Sequence, residues 1–366
     1  MLTKNNMNDL FGPEYVIKVY DPKIGMTGFL VIDNTVLGLG KGGIRMTANV
    51  TVEEVMRLAR TMTFKNVLAG IPFGGAKAGI IWNGGSNILK KQYVQSFARL
   101  IKPFIPQKYI AGPDVNTGEQ EMRWFAEVLK NKKAATGKPA KMGGLPHELG
   151  STGFGVAKTT EVAAKLLKLD LNKARVAIEG FGNVGSFAFK FLKELGANIV
   201  AVSDSRATAV SKIGFDYKVL SKIKKRGGSV GDYPGIERMG KEDIFSLPVD
   251  ILILATVTDV INENNKNKIK AKIIVEGSNI PMSEKIEKEF FEQGILVIPD
   301  FVANAGGVVS SYAEYCGYDS KRMFDLVERK ITKTVTLVLQ QYLQKNKNPR
   351  EIAFEIAEKK LNRKNV

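Results

Sequence analysis

Three lysines in the first third of the chain precede glycines or lie among them. Lys41 lies in "LGKGGIRM", Lys65 in "MTFKN" and Lys77 in "GGAKAG". An ammonium group packed against bare backbone and near other ammonium groups has a lowered pKa, so it can act as a base near neutral pH. Each lysine taken alone is typical of a solvated surface. Their joint arrangement, followed by Asp114 in "AGPDVNT", is much more specific than any one of them.

A helix with marked ends is predicted to position the second of these lysines. In "TVEEVMRLARTMTFKNVLAG", Thr51 and Glu54 have the spacing of a capping box, and Gly70 is a typical helix stop. Lys65 then lies near the C-terminal end of this helix. Lys77 is expected in the glycine loop that follows it.

The position of Asp114 follows from the next helix. Thr117 and Gln120 repeat the capping-box spacing, which predicts that Asp114 lies in the loop just ahead of a helix. The runs "EYVIKVYDP" and "MTGFLVIDN" near the start are rich in β-forming residues. The first third therefore mixes strands and helices.

A glycine fingerprint opens the second half of the chain. It has the form G-x-G-x-x-G between a predicted strand and a predicted helix, and consists of Gly180, Phe181, Gly182, Asn183, Val184 and Gly185. Such glycines allow a tight turn and the close approach of a pyrophosphate, while the helix N-terminus supplies amide donors. The alternative is a purely structural glycine turn. The strand–turn–helix–strand context favours a dinucleotide site.

The residues after the next strand leave the choice of coenzyme open. Asp204 ends that strand and is expected to accept a hydrogen bond from a ribose hydroxyl, which favours NAD. Arg206 follows closely, and it is suited to the 2′-phosphate of NADP. We therefore expect NAD or NADP.

The bulk composition excludes several classes of protein. The 54 lysines and arginines exceed the 37 aspartates and glutamates, for a net charge of +17, yet the basic residues are scattered, so no nucleic-acid partner is expected. No apolar run approaches the length of a membrane span, and no metal site is predicted. The start lacks the apolar core of a signal peptide, and the single cysteine fits a reducing compartment. We expect a cytoplasmic protein.

The predicted fold is α/β with two domains and a cleft between them. Apolar strands alternate with helices after the fingerprint, which indicates a parallel sheet covered on both faces, that is, a Rossmann dinucleotide-binding domain. We expect a substrate-binding and oligomerisation domain over 1–145, the Rossmann domain over 146–320, and C-terminal helices over 321–366 that return to the first domain.

The motifs together resemble one family across nearly the whole chain. "GGAKAGI", "PDVNTGEQEM", "GFGNVG", "VEGSN" and "NAGGVVSSYAE" occur in the order and approximate spacing of the glutamate/leucine/phenylalanine/valine dehydrogenase superfamily. The resemblance implies hydride transfer between the α-carbon of an amino acid and a nicotinamide coenzyme. It also implies a homo-oligomer, commonly a hexamer.

The resemblance also implies a role for particular residues. Lys77 matches the catalytic lysine that activates water, and Asp114 matches the aspartate that carries a proton to or from the substrate nitrogen. Lys65 matches the lysine that pairs with the substrate α-carboxylate. Lys41 and Ser311 match residues that bind the side-chain carboxylate of glutamate. The remaining matches are Thr136 near the substrate, Thr152 and Asn279 beside the nicotinamide half of the coenzyme, and Asn304, on the substrate-side segment and assigned to coenzyme binding.

Lys41 decides between the substrates that this family uses. Members acting on leucine or phenylalanine resemble this chain but carry an apolar residue at the lysine position, since a buried, unpaired ammonium disfavours an apolar side chain. We therefore expect L-glutamate, 2-oxoglutarate and ammonium as substrates and products. Oxidation of leucine, valine or phenylalanine is the near alternative, and a non-catalytic regulatory protein on the same scaffold is the distant one.

Three positions depart from the usual pattern of the glutamate enzymes. Glu148 stands where an arginine is common, and His147, the only histidine, is interpreted as a local substitution. Asp259 replaces an asparagine near the coenzyme, which leaves the detailed coenzyme contacts undecided.

Overall fold

The structure is a computed structural model of the chain, and it describes residues 9–146 and 149–362. His147 and Glu148 lie outside the described residues. The described part divides into two compact units. The first comprises the described residues of Met1–Leu149, Val308–Leu326 and Glu355–Val366, and the second comprises Gly150–Gly307 and Val327–Phe354.

The strands form one sheet in each unit. The first sheet contains β1 (Tyr15–Asp21), β2 (Met26–Asn34), β3 (Gly40–Thr47), β4 (Gly74–Ile81) and β5 (Tyr109–Pro113). The second contains β6 (Arg175–Glu179), β7 (Asn198–Ser203), β8 (Thr208–Val210), β9 (Glu237–Met239), β10 (Ile251–Leu254), β11 (Ile273–Glu276) and β12 (Leu296–Ile298).

The helices follow the same order along the chain. They are α1 (Val52–Ala69), α2 (Asn87–Leu100), α3 (Glu119–Val128), α4 (Ser151–Leu166), α5 (Asn183–Glu194), α6 (Tyr217–Lys225), α7 (Glu284–Glu292), α8 (Asp300–Ala303), α9 (Gly306–Tyr315), α10 (Ser320–Lys345) and α11 (Pro349–Asn362).

The sheet of the first unit has the strand order β1-β2-β4-β3-β5. β3 runs parallel to both β4 and β5, whereas β2 pairs antiparallel with β1 on one side and with β4 on the other. A core containing Phe97 of α2 and Phe125 of α3 covers one face of this sheet. Val55 and Ala59 of α1 pack against the other face. The unit is therefore a three-layer α/β structure, which buries both faces of the sheet.

The glycine-rich run around Lys77 forms a strand rather than the predicted loop. Residues 74–81 make up β4, which lies between β2 and β3 in the middle of the sheet. The prediction of a loop was wrong, because glycine also serves where two backbones approach each other closely. A side chain at Gly42, for example, would place its Cβ atom 1.6 Å from the Ala76 carbonyl oxygen on the neighbouring strand.

The local signals around α1 and α3 were partly correct. The Thr51 hydroxyl accepts a hydrogen bond from the Glu54 amide, and Gly70 ends the helix with φ 62°. The Glu54 side chain, however, does not complete the capping box and instead pairs with Arg45. At α3, Gly118 occupies the cap position and its amide donates to Glu121, so the cap lies one residue later than predicted.

The second sheet has the strand order β12-β11-β10-β6-β7-β8-β9. Its first five strands are parallel, as the apolar pattern predicted. β8 and β9 extend this sheet in the antiparallel sense, which the sequence did not indicate. The parallel part places the ends of β6, β10 and β11 on one edge, where ligands of such sheets bind.

The unit boundaries differ from the expected domain limits in the last third of the chain. The first boundary falls after Leu149, within four residues of the expected limit. Residues 308–320, expected in the second domain, belong to the first unit, and residues 327–354, expected in the first, belong to the second. Glu314 explains why residues 308–320 belong to the first unit. Its carboxylate accepts hydrogen bonds from the amides of Gly137 and Leu145 and pairs with Lys138 at 2.5 Å.

Candidate functional site

Neighbouring strands of the first unit bring the catalytic candidates together. Lys77 lies on β4, Lys41 on the adjacent β3, and Asp114 directly after β5 on the far side of β3. The Lys77 ammonium nitrogen is 3.1 Å from Oδ1 of Asp114. A glycine at 112 leaves room for the other lysine, since a Cβ atom there would lie 2.4 Å from Nζ of Lys41. The bare backbone thus makes space for ammonium groups inside the sheet.

Burial sets the electrostatics of the Lys77–Asp114 pair. The Lys77 side chain is 8% exposed, and burial lowers its pKa, with the Arg45 charge adding to the effect and Asp114 opposing it. Burial alone would raise the pKa of Asp114, but the charges of Lys77 and Arg45 outweigh it and hold that pKa below the ordinary value. A base with a lowered pKa beside an ionised carboxylate is suited to moving protons.

Arg45 and Glu54 belong to this cluster and were not predicted. Nε of Arg45 donates to Oδ2 of Asp114 at 2.8 Å, and Nη1 lies 2.5 Å from Oε1 of Glu54. The signal was available in "KGGIRM", because residues 41, 43 and 45 of a strand share one face. Arg45 thus contacts one oxygen of the Asp114 carboxylate, and Lys77 contacts the other.

Lys41 and Thr136 converge on a single carbonyl group. The Ala111 oxygen accepts from Nζ of Lys41 at 3.0 Å and from the Thr136 amide at 3.0 Å. The Thr136 hydroxyl oxygen is buried and has no hydrogen-bond partner. Among the described residues, no carboxylate forms an ion pair with Lys41, which argues against an outward-facing, internally paired lysine. An ammonium and an orphaned hydroxyl close to each other are suited to binding an anion.

The pKa of Lys41 is lowered to about 7. Burial is the main cause, because the side chain is almost inaccessible to water, and the charges of Lys77 and Lys138 lower the value further, against Glu314. A buried ammonium of this kind is stabilised when a carboxylate enters beside it.

The other two candidate substrate residues lie in the same unit. Lys65 is buried in the last turns of α1, and Ser311 is half-buried on α9. Their assignment to the substrate carboxylates stays a prediction.

The glycine fingerprint in the second unit has room for a dinucleotide. Gly180 follows β6 with φ 96°, and Gly182 caps α5, which begins with Asn183 and Val184. A Cβ atom on Gly182 would meet nothing within 4 Å, whereas one on Gly185 would lie 1.9 Å from the Gly180 carbonyl oxygen. Gly185 is therefore needed for packing, and Gly182 leaves an open space in front of the helix N-terminus. These residues fit a bound pyrophosphate.

The Asp204 carboxylate, expected to accept a hydrogen bond from a ribose hydroxyl, already accepts several from its own unit. Oδ1 accepts from the amides of Arg206 and Ala207 and from the Ser229 hydroxyl, and Oδ2 accepts from the Val230 amide and, at 2.6 Å, from Lys224. Burial alone would raise the pKa of Asp204, but these hydrogen bonds together lower it to about 2. Five donors use the acceptor capacity of one carboxylate, so a ribose hydroxyl would have to displace one of them.

The remaining coenzyme candidates lie on α4 and beside β11 and α8. Thr152 is the second residue of α4, and a Cβ atom on Gly307 would lie 2.9 Å from its hydroxyl oxygen. Nδ2 of Asn304 donates to Oδ1 of Asn279 at 3.0 Å and to the Ser278 carbonyl. Oδ1 of Asn304 is buried without a partner. The structure thus brings Asn279 and Asn304 into direct contact.

Glu179 is a further titratable group that the sequence analysis missed. It ends β6, immediately before the fingerprint, and accepts from the Thr256 hydroxyl at 2.6 Å. Burial raises its pKa to about 7. Among the described residues, no group of three or more histidine, cysteine or acidic side chains could hold a metal ion.

The second unit has a parallel sheet with the glycine fingerprint, and the first carries a lysine–aspartate cluster on its own α/β sheet. This combination is typical of one class of protein, the two-domain, dinucleotide-binding α/β proteins. Residues 143–365 match the family described as Glutamate/Leucine/Phenylalanine/Valine dehydrogenase, and residues 13–131 match its dimerisation domain. The chain belongs to this family.

Individual relatives agree with this assignment. The chain is 39% identical to the glutamate dehydrogenase of Aeropyrum pernix over 87% of this chain and 79% of that protein. It is 39% identical, over the same shares, to the NADP-specific glutamate dehydrogenase of Saccharolobus shibatae. A crystal structure of the hetero-hexameric glutamate dehydrogenase of Thermus thermophilus, in its Leu-bound form, superimposes with a TM-score of 0.85 at 26% identity, covering 96% of this chain and 89% of that one.

No helix in the described part of the chain is long and apolar enough to cross a membrane.

Proposed function

We propose that this protein is an NAD(P)-dependent glutamate dehydrogenase, which interconverts L-glutamate and water with 2-oxoglutarate and ammonium. The observation that carries the proposal is the buried Lys41, which has no carboxylate partner among the described residues and lies beside the orphaned hydroxyl of Thr136. Such a pair calls for an anionic group on the substrate side chain. The glutamate dehydrogenases among the relatives support the same substrate.

The proposed reaction uses the residues of the first unit in distinct roles. Lys65 pairs with the α-carboxylate, while Lys41, Thr136 and Ser311 bind the side-chain carboxylate. The nicotinamide coenzyme, when bound, accepts the hydride that leaves the α-carbon.

The residual imine is then hydrolysed with the help of the buried pair. Neutral Lys77 takes a proton from the water that attacks the imino carbon, and Asp114 carries a proton to the departing nitrogen. Their contact of 3.1 Å allows a proton to pass between them. The coenzyme is assigned to the second unit, with Gly180, Gly182, Asn183, Val184 and Gly185 at the pyrophosphate, Asp204 at the adenosine ribose, and Thr152, Asn279 and Asn304 at the nicotinamide half.

The test is the initial rate of amino-acid oxidation, with glutamate, leucine, valine and phenylalanine each supplied with NAD and with NADP. We expect activity on glutamate. In Lys41→Leu, kcat/KM for glutamate is expected to fall about a hundredfold, because removing one partner of a buried charge pair costs a few kcal/mol, while that for leucine should fall little or rise. Equal losses on both substrates would contradict the role of Lys41 as selector. Activity on apolar amino acids alone would favour the near alternative.

We further propose a homo-oligomer built through the first unit. The match of residues 13–131 to a dimerisation domain supports this assembly. A cytoplasmic location is proposed from the single cysteine, which fits a reducing compartment.

A further inference from the structure

A buried arginine near the start of α11 is surrounded by three carboxylates, all within the second unit. Nε of Arg350 donates to both oxygens of Glu287 at 2.9 and 2.7 Å. Nη2 lies 3.1 Å from Oε2 of Glu276 and 3.3 Å from Oδ1 of Asp300. Burial and the neighbouring Glu287 raise the pKa of Glu276. A single guanidinium thus holds three buried acids, and breaking such a cluster is costly.

Two of these acids hold the two ends of one loop. Glu276 is the last residue of β11, and the segment after it, 277–280, carries Asn279. Oδ2 of Asp300 accepts from the Ile280 amide at 3.0 Å, and the Asp300 amide donates to Oε2 of Glu276 at 2.8 Å. Within the described part of the chain, no hydrogen bond or ion pair joins Glu287, the third acid, to this loop.

The loop is held in an unfavourable backbone conformation. Ile280 has φ 48°, in the left-handed region that β-branched residues rarely adopt. Strain of this kind persists only where the surroundings enforce it, and it is concentrated at functional sites. The hydrogen bond to Asp300 is one of the contacts that enforce it, and the Asp259 amide, which donates to the Ile280 carbonyl, is another.

Polar atoms left without partners lie in and beside this loop. The hydroxyl oxygen of Ser278 and Oδ1 of Asn304 are buried and have no hydrogen-bond partner. Buried polar atoms are normally paired, so these two have hydrogen-bonding capacity that a ligand can use. The loop conformation that Asp300 enforces is therefore the one that presents these groups to a ligand.

We propose that Arg350 is a positioning residue for coenzyme binding: acting through Asp300 and Glu276, it holds the loop 277–280 in the strained conformation that presents Asn279 to the nicotinamide half of the coenzyme. This inference rests on the proposed function, since it takes Asn279 as a coenzyme contact. It assigns to the C-terminal helix a part in coenzyme affinity that neither the glycine fingerprint nor the catalytic cluster supplies.

The test compares two neutralised acids of the same cluster in the full-length protein. In Asp300→Asn, the single amide oxygen cannot accept from both Ile280 and Arg350, so the loop loses its anchor. Dissociation constants for NAD and NADP are measured by calorimetry, and thermal unfolding is followed in parallel. We expect coenzyme binding to weaken about tenfold, the value of one lost hydrogen bond to a charged group. Glu287→Gln neutralises one partner of Arg350 but leaves the contacts of Arg350 with Glu276 and Asp300 in place, so it should lower stability and leave the dissociation constant unchanged.

A rescue experiment separates positioning from a general loss of structure. In an Ile280→Gly background the left-handed conformation costs nothing, so Asp300→Asn should weaken coenzyme binding less than in the parent protein. If Asp300→Asn does not fold, Arg350→Lys, which keeps the charge but not the paired geometry, takes its place in the comparison. Equal effects of Asp300→Asn and Glu287→Gln on coenzyme binding would overturn the proposal. Failure of the unmodified protein to bind either coenzyme would instead overturn the proposed function.

Discussion

At the scale of single residues, the candidate site is a set of charges whose partners determine their chemistry. Lys77 shares Asp114 with Arg45, so the carboxylate is held from both sides. Lys41 lacks such a partner among the described residues and has instead the Ala111 carbonyl. The first lysine is thus placed for proton transfer and the second for binding an anion. Their chain position among glycines is similar, and only their neighbours distinguish them.

The role of Lys77 is tested by Lys77→Met, which keeps the aliphatic chain and removes the base. We expect kcat to fall by roughly a thousandfold, within the range for general-base catalysis, while coenzyme binding changes little. Steady-state rates and calorimetry with NADP and NAD measure the two effects. Lys91→Met, at an exposed position of α2, is the control and should behave as the parent protein. Full activity of Lys77→Met would show that another group is the base.

The role of Arg45 is tested through the pH dependence of Arg45→Met. The Arg45 charge helps to lower the pKa of Asp114, so its removal raises that pKa and moves the acidic limb of kcat to higher pH. At neutral pH, kcat should fall roughly tenfold because one charge-assisted hydrogen bond is lost. Arg57→Met, at an exposed position on α1, is the matched control.

The pH dependence of stability gives an independent check of the direction in which Arg45 shifts the pKa of Asp114. A carboxyl whose pKa is lowered in the folded state stabilises the fold at pH values above its ordinary pKa of 3.8. This stabilisation is lost as the pH falls. The parent protein should therefore unfold at a higher temperature than Arg45→Met at pH 7, and the difference should shrink below about pH 4. An unchanged pH profile of kcat would argue against an interaction of Arg45 with the reacting group.

At the scale of elements, glycine has two separate uses in this chain. In β3 and β4 it lets backbones approach, and at the start of α5 it leaves space in front of the helix. Both read as glycine-rich runs in the sequence, and only the G-x-G-x-x-G spacing between a strand and a helix marks the second use. They differ in what a Cβ atom would meet.

The fingerprint glycines provide a direct comparison of these uses. Gly182→Ala places its Cβ atom in open space, so the melting temperature should be unchanged. Coenzyme binding should weaken at least about tenfold, because the added methyl group blocks the pyrophosphate. Gly185→Ala meets the Gly180 carbonyl and should destabilise the fold by about 1–3 kcal/mol, although alanine favours a helix. Thermal unfolding and calorimetry distinguish them. Unimpaired coenzyme binding by Gly182→Ala would favour a structural turn.

At the scale of the whole molecule, the sheet edge of the first unit is the feature that bears on assembly. In the described part of the chain, β1 pairs with a strand on one side only, and Val16 and Tyr20 on its outer face are 49% and 57% exposed. An edge strand with exposed apolar side chains is a ready surface for another chain. The net charge of +17 favours the approach of anions to the molecule.

Substitution on this edge tests the proposed oligomer. Val16→Lys places a charge on the outer face of β1 and should shift the protein to a smaller assembly, because burying an unpaired ammonium at an interface is costly. Light scattering coupled to gel filtration measures the mass. Ile213→Lys, at a fully exposed apolar position of the second unit, should leave the mass unchanged. An unaltered mass for Val16→Lys would place the assembly surface elsewhere.

The sequence was sufficient for features that depend on neighbouring residues. Helix α1 could be predicted with both ends, because Thr51 and Gly70 act on backbone groups within one turn. The fingerprint and the parallel strands around it follow from glycine spacing and continuous apolar runs. The family itself could be suggested from motifs, and comparison with known proteins confirmed it.

Only the tertiary structure decided which side chains meet. Arg45 reaches Asp114 across 69 positions, and Arg350 reaches Asp300 across 50. Glycine spacing predicted a loop at Lys77 where strand pairing makes a central strand, and Asp204, expected to be open to a ribose, is occupied by donors from its own chain. Periodicity and turn preferences describe local backbone, whereas these contacts depend on strand register and on the packing of distant segments, which local preferences do not encode.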